Sequence, residues 1–98
     1  MTDRTLAEKT DRYREMLEDA LAAAEPIPAS DADGRATADG TDLMTMARSY
    51  LEDGVHFLDE GEEADALAAF SYGHGWLDAG VRAGLIEADD PELFTVEA

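Results

Sequence analysis

From Glu62 to Gly84 the chain runs without proline and keeps a helical period, although its middle, Ser71 to Gly80, reads SYGHGWLDAG. No other segment constrains the fold as much. At 100° per residue, Leu67, Phe70, His74, Leu77 and Val81 form one apolar stripe, and Tyr72, Trp76, Ala79, Ala69 and Ala83 form a second, broadly on the other side. A helix apolar on two sides normally sits centrally in a bundle and touches two partners at once. Gly73, Gly75, Gly80 and Gly84 lower its intrinsic propensity by roughly 3 to 4 kcal/mol in sum, so tertiary contact has to compensate.

Two further amphipathic segments supply those partners. Leu6, Tyr13, Met16, Leu17, Ala20, Leu21 and Ala24 make a stripe that predicts a first helix over about 3–24, capped by Thr2, Asp3 or Thr5 and ended by Pro26 and Pro28. Leu43, Met46, Ala47, Tyr50, Leu51, Phe57 and Leu58 share a face with Gly54 and predict a second helix over about 42–60, capped by Thr41 or Asp42. A glycine on that buried face implies close approach by another helix. Gly61 fits the left-handed residue that ends a helix, and the third helix follows over about 62–84. Between the first two lies a proline-, glycine- and aspartate-rich loop, 25–40, and after the third comes an acidic tail, 85–98. The expected fold is a single all-α, up-and-down three-helix bundle with a long loop between helices 1 and 2. In it the first helix folds back to bury Trp76 against Tyr13, Met16 and Leu17, which lets the chain fold as a monomer.

The chain has 98 residues and no cysteine, so one small core must supply all the stability without disulfides or thiolate metal sites. It carries 24 Asp plus Glu against 7 Lys plus Arg, a formal net charge of −17, yet 45% of its residues are hydrophobic. That hydrophobicity is too high for a disordered acidic tail, so a folded surface bears the charge. Near molar salt the Debye length falls to about 3 Å and the self-repulsion is screened, which points to a salt-adapted cytoplasm. The competing reading is an acidic surface that docks on a basic partner or mimics nucleic acid. No basic patch exists to release counterions from phosphates, so nucleic acid is not an expected partner. Nor is a membrane, because no apolar run approaches a span and the N-terminal MTDRTLAEKTDR is charged rather than a signal peptide.

Chemistry-bearing residues are few. His74 and Asp78 lie four apart on the third helix, and Glu52, His56 and Glu60 repeat that spacing on the second, but with two histidines and no cysteine a zinc site would have to rely on carboxylates. The second set faces away from the apolar stripe and reads as a solvated face; His74 reads as a core histidine satisfied by a local acceptor. No metal and no cofactor is expected, and Ser, His and Asp show no sign of a catalytic triad. Ser71, Gly75, Asp78 and Arg82 form a narrow polar strip in which Asp78 and Arg82 are spaced for an i,i+4 ion pair. Either the ring of Tyr50 or Tyr72 fills the gap at Gly75 and locks helix register, or the gap admits a small polar or anionic ligand held by Arg82 and Arg35, the only cation of the long loop. Tyr72 and Trp76 read as core before they read as a cofactor box.

The stretch MARSYLEDGVHFLDEGEEADALAAFSYGHGWLDAGVRAGLI, Met46 to Ile86, together with GRA at Gly34 to Ala36, resembles the archaeal domain-of-unknown-function family numbered 357. The resemblance implies a small three-helix bundle of archaeal origin and no assigned activity. It falls on Arg35, Tyr50, Asp53, Tyr72, Asp78 and Arg82 among other positions, and the greater acidity of this chain fits a salt-loving lineage. Tyr50 to Gly73 is also similar to a single tetratricopeptide unit, with no second repeat to stack on it.

Together these features describe a non-enzymatic, cytoplasmic protein-interaction module, monomeric or homodimeric, whose candidate partner-binding residues are Arg35, Tyr50, Asp53, Tyr72, His74, Trp76, Asp78 and Arg82. The alternative is a small-ligand-binding or enzymatic protein using Arg35, Asp78 and Arg82. The charge argument makes a direct prediction: circular dichroism melts should rise steeply from low to molar KCl, with each kcal/mol of relieved repulsion worth about 4–8 °C in a domain of this size. An unchanged midpoint would remove the salt-adaptation reading.

Overall fold

The hydroxyl of Thr5 accepts from the Glu8 backbone N–H at 3.1 Å, and the Glu8 carboxylate accepts from the Thr5 N–H at 3.0 Å. This reciprocal pair satisfies two donors at once and starts helix α1, Leu6–Ala23. The computed structural model describes residues 5–27 and 40–88, so the expected caps at Thr2 and Asp3, the bulk of the long loop with Arg35, and the end of the acidic tail lie outside the described residues. Helix α2 spans Gly40–Asp59 and helix α3 spans Glu63–Arg82. Because α2 already begins at Gly40, Thr41 and Asp42 lie in its first turn, where the Asp42 carboxylate suits the positive end of the helix dipole.

Both α2 and α3 close in the same way. Gly61 and Gly84 adopt φ of +79° and +78°, a region that L side chains resist. After α2, the N–H of Gly61 donates to the Leu58 carbonyl and that of Glu62 to the Phe57 carbonyl; after α3, Gly84 donates to Val81 and Leu85 to Gly80. These are Schellman closures, and they turn the chain sharply enough to make α2 and α3 a helical hairpin.

The three helices form the expected all-α bundle, with α3 packed most extensively on α2 and next on α1. Its core sets alanines among larger side chains: Leu17, Ala20, Ala24, Met44, Ala47, Ala66, Phe70 and Leu77, with Ile86 from beyond α3. A side chain at Gly54 would occupy the position of the Phe70 ring, and one at Gly73 would come within 2.8 Å of the Leu17 methyl and 3.2 Å of the Ala47 carbonyl oxygen. Gly54 therefore does mark close approach between helices.

In α2 the buried series is Gly40, Met44, Ala47 and Gly54, at spacings of four, three and seven residues, and Met46, expected on that face, is 38% exposed whereas Met44 is 3% exposed. In α1 the buried residues are Thr10, Leu17 and Ala20, with Leu6 and Tyr13 left exposed. Fully buried Thr10 donates to the Leu6 carbonyl one turn back at 2.8 Å, which satisfies its hydroxyl inside the bundle.

A second element type, not legible in the apolar periodicity, joins the helices. Strand β1, Ala24–Pro26, pairs antiparallel with strand β2, Ile86–Ala88, and Ile27 adds a further 2.9 Å bond to the Leu85 carbonyl. This ribbon ties the end of α1 to the end of α3 and carries Ile86 into the core beside Gly80. Pro26 is tolerated because a two-stranded ribbon consists only of edges. Glu25 stands directly opposite Glu87, a like-charge pair that salt would relieve.

A pair of glycine substitutions tests this packing. Gly54→Ala should cost on the order of 1–3 kcal/mol, since a buried ring has to move, despite the gain of about 1 kcal/mol in helix propensity. Gly75→Ala, with nothing within 4 Å of the added methyl, should gain up to about 1 kcal/mol in denaturant melts of dilute protein. Equal effects at the two sites would contradict this assignment of the buried face.

Candidate functional site

The close contact of α3 with its neighbours fixes its rotation. Ala66, Phe70, Gly73, Leu77 and Gly80 are buried in one continuous stripe, so residues half a turn away must face outward. Tyr72, Trp76, Ala79 and Ala83 fall on that outward side and are exposed; of the expected second apolar stripe only Ala69 is buried. The expectation that Trp76 packs against Tyr13, Met16 and Leu17 is not met. Leu17 is instead seated at Gly73, and Trp76, about 100° further round the helix from Leu77, lies toward α2 beside Tyr50. Two partners cover adjacent sectors of α3 rather than opposite ones, which leaves one flank open.

The open flank is a groove of about 390 Å³ lined by Tyr50, Ser71, Tyr72, Gly75, Trp76 and Ala79. Among the described residues its lining contains no charged side chain, in a chain with a net charge of −17. Tyr72 is 65% exposed and Trp76 36%. The rings of Tyr50 and Tyr72 lie 5.7 Å apart at 32°, so they pack on each other and not into the gap at Gly75, which stays open. A second groove, about 310 Å³, shares Tyr50 and Tyr72 and continues along the hairpin between Asp53 and Phe57 of α2 and Asp65, Ala68 and Ala69 of α3.

The remaining described candidates do not line this groove. The Arg82 Nε stands 3.8 Å from the Asp78 carboxylate, the expected i,i+4 pair, with Arg82 52% exposed and Asp78 21%. Neither lines the aromatic groove. His74 is half-buried and, two residues before Trp76, lies about 200° from it round the helix. Glu52, His56 and Glu60 are exposed, and among the described residues no group of three or more His, Cys, Asp or Glu is placed to hold a metal ion. Among the same residues, no helix is long and apolar enough to cross a membrane.

Tyr50, Tyr72 and Trp76 thus form the site, Asp53 borders it, and Asp78 with Arg82 forms a separate ion pair. Asp65 and Ala68 were not among the sequence candidates. Their signal was their spacing, seven and four residues before Tyr72 on the same helix face.

A family described as Protein of unknown function (DUF357) matches residues 12–86. No curated protein and no solved structure matches the chain. The match covers all three helices, apart from the first turns of α1, and the chain belongs to that family.

Proposed function

We propose that this protein is a non-enzymatic interaction module that docks a protein partner on the flank formed by Tyr50, Tyr72 and Trp76. One observation carries the reading: aromatic side chains line an open, uncharged groove on a rigid helical hairpin, while acidic residues dominate the composition as a whole. Exposed aromatic clusters bordered by polar residues characterise docking surfaces, where tyrosine and tryptophan supply much of the binding energy. The separation of Asp78 and Arg82 from the groove weighs against the small-anion reading, because among the described residues, which do not include Arg35, no cation lines it. The acidic surface, in turn, supports a cytoplasmic setting rich in salt, such as that of a halophilic archaeon, and supports neither nucleic acid nor an anionic membrane as partner.

Site-specific photo-crosslinking in molar KCl tests the reading. A photoreactive residue at Tyr72 should capture protein in the cell's own extract, and the same group at exposed Glu52 should not. Tyr72→Ala should cost less than about 1 kcal/mol in stability, since most of the ring is already in solvent, yet should remove the capture reported from a probe at Ala79. Equal capture at positions 72 and 52 would overturn the assignment of the surface.

A further inference from the structure

The exposed side of α3 has an order that its composition alone does not reveal. Asp65, Ala68, Tyr72, Gly75, Ala79 and Arg82 are all exposed and follow one another at spacings of three, four, three, four and three. That is the seam spacing of a coiled coil, held over the full length of the helix. The stripe is also self-complementary about a point between Gly73 and His74. If α3 is reversed about that point, Asp65 comes to the height of Arg82, Ala68 to that of Ala79 and Tyr72 to that of Gly75.

We infer that the occupant of the docking surface is a second copy of this chain, paired antiparallel through α3 about a two-fold axis. The inference rests on the docking reading above and names its partner. In such a pair the contacts are isologous, so each complementarity occurs twice. Tyr72, the most exposed large hydrophobic side chain of the described residues, meets Gly75 of the partner subunit, where a side chain would otherwise stand and where no described residue of its own chain lies within 4 Å. Ala68 against Ala79 of the partner subunit lets the two helices approach closely. Asp65 meets Arg82 of the partner subunit at each end; the half-exposed guanidinium, 3.8 Å from Asp78, can serve both carboxylates. The stripe is neutral overall, whereas the chain has more than three acidic residues for every basic one. An acidic end matched by one of the few cations is what charge complementarity between two copies requires.

Opposing charge elsewhere sets the condition for pairing. Two chains of net charge −17 repel at low salt, so association should strengthen as KCl approaches molar concentration, although isolated surface ion pairs weaken with salt.

The chain has no cysteine, so introduced thiols report the register cleanly. Ala68→Cys and Ala79→Cys chains, mixed in molar KCl under mild oxidation, should cross-link to each other. Either alone should not, because Ala68 and its counterpart would lie about 16 Å apart along the seam, beyond the roughly 7 Å that a disulfide tolerates. Sedimentation should show a dimer for the unaltered chain and a monomer for Gly75→Leu with its helical circular dichroism intact. Asp65→Arg should weaken the dimer at least tenfold, and Asp65→Arg combined with Arg82→Asp should restore it. A monomeric unaltered chain in molar KCl, or cross-linking of Ala68→Cys with itself as readily as with Ala79→Cys, overturns the second-copy inference. Either result leaves the docking surface itself to be judged by capture at Tyr72 against Glu52.

Discussion

The Phe70 ring lies where a side chain on residue 54 would have to be, and the arrangement of the other elements follows from that contact. With no β-carbon at Gly54 and only small groups at Ala47, Ala66 and Gly73, α2 and α3 approach closely along one stripe. The hairpin can therefore be tight without a large core, as a chain of this size requires. The same contact sets the rotation of α3. Once Phe70, Gly73 and Leu77 point inward, Tyr72 and Trp76 have no inward position left, and Tyr50 on α2 lies beside them.

Much of the fold was legible because helices announce themselves locally. The cap at Thr5 and the left-handed glycine at 61 act within a few residues of where they stand, and the apolar periods of the three segments place the helices; Gly84, read as part of the third helix, instead closes it with φ +78°. Three- and four-residue spacing tells which residues can share a face, but it does not tell how wide the covered sector is. A stripe on each side of α3 suggested two opposite partners; small residues at the contacts instead brought α1 and α2 onto adjacent sectors, and the stripe with Trp76 stayed outside. The Ala24–Pro26 and Ile86–Ala88 ribbon was illegible for another reason. Each strand is three residues long, and neither has meaning without a partner some sixty residues away.

The candidate site was legible in its residue types and not in its grouping. Tyr50, Tyr72 and Trp76 converge, while Asp78, two residues and about 200° round the helix from Trp76, turns to a different sector and stands 3.8 Å from the Arg82 Nε. The polar strip read from the sequence thus divides between a groove floor, Ser71 and Gly75, and an ion pair beside it. Gly75 has a different purpose from Gly54 and Gly73: among the described residues nothing lies within 4 Å of where its side chain would be, and that open space is available to another molecule. A groove whose described lining is uncharged, on so acidic a protein, also offers a place where a second molecule can approach with less repulsion.

Trp76 is the only tryptophan in the chain, so its fluorescence reports on this flank alone. The most direct measurement is acrylamide quenching of that emission across a dilution series in molar KCl. A groove open in the single chain and covered by association predicts a solvent-accessible, readily quenched tryptophan at high dilution that becomes protected and blue-shifted as concentration rises. A tryptophan equally shielded at every concentration, down to the most dilute, would place Trp76 inside the bundle and contradict the one-sided packing of α3.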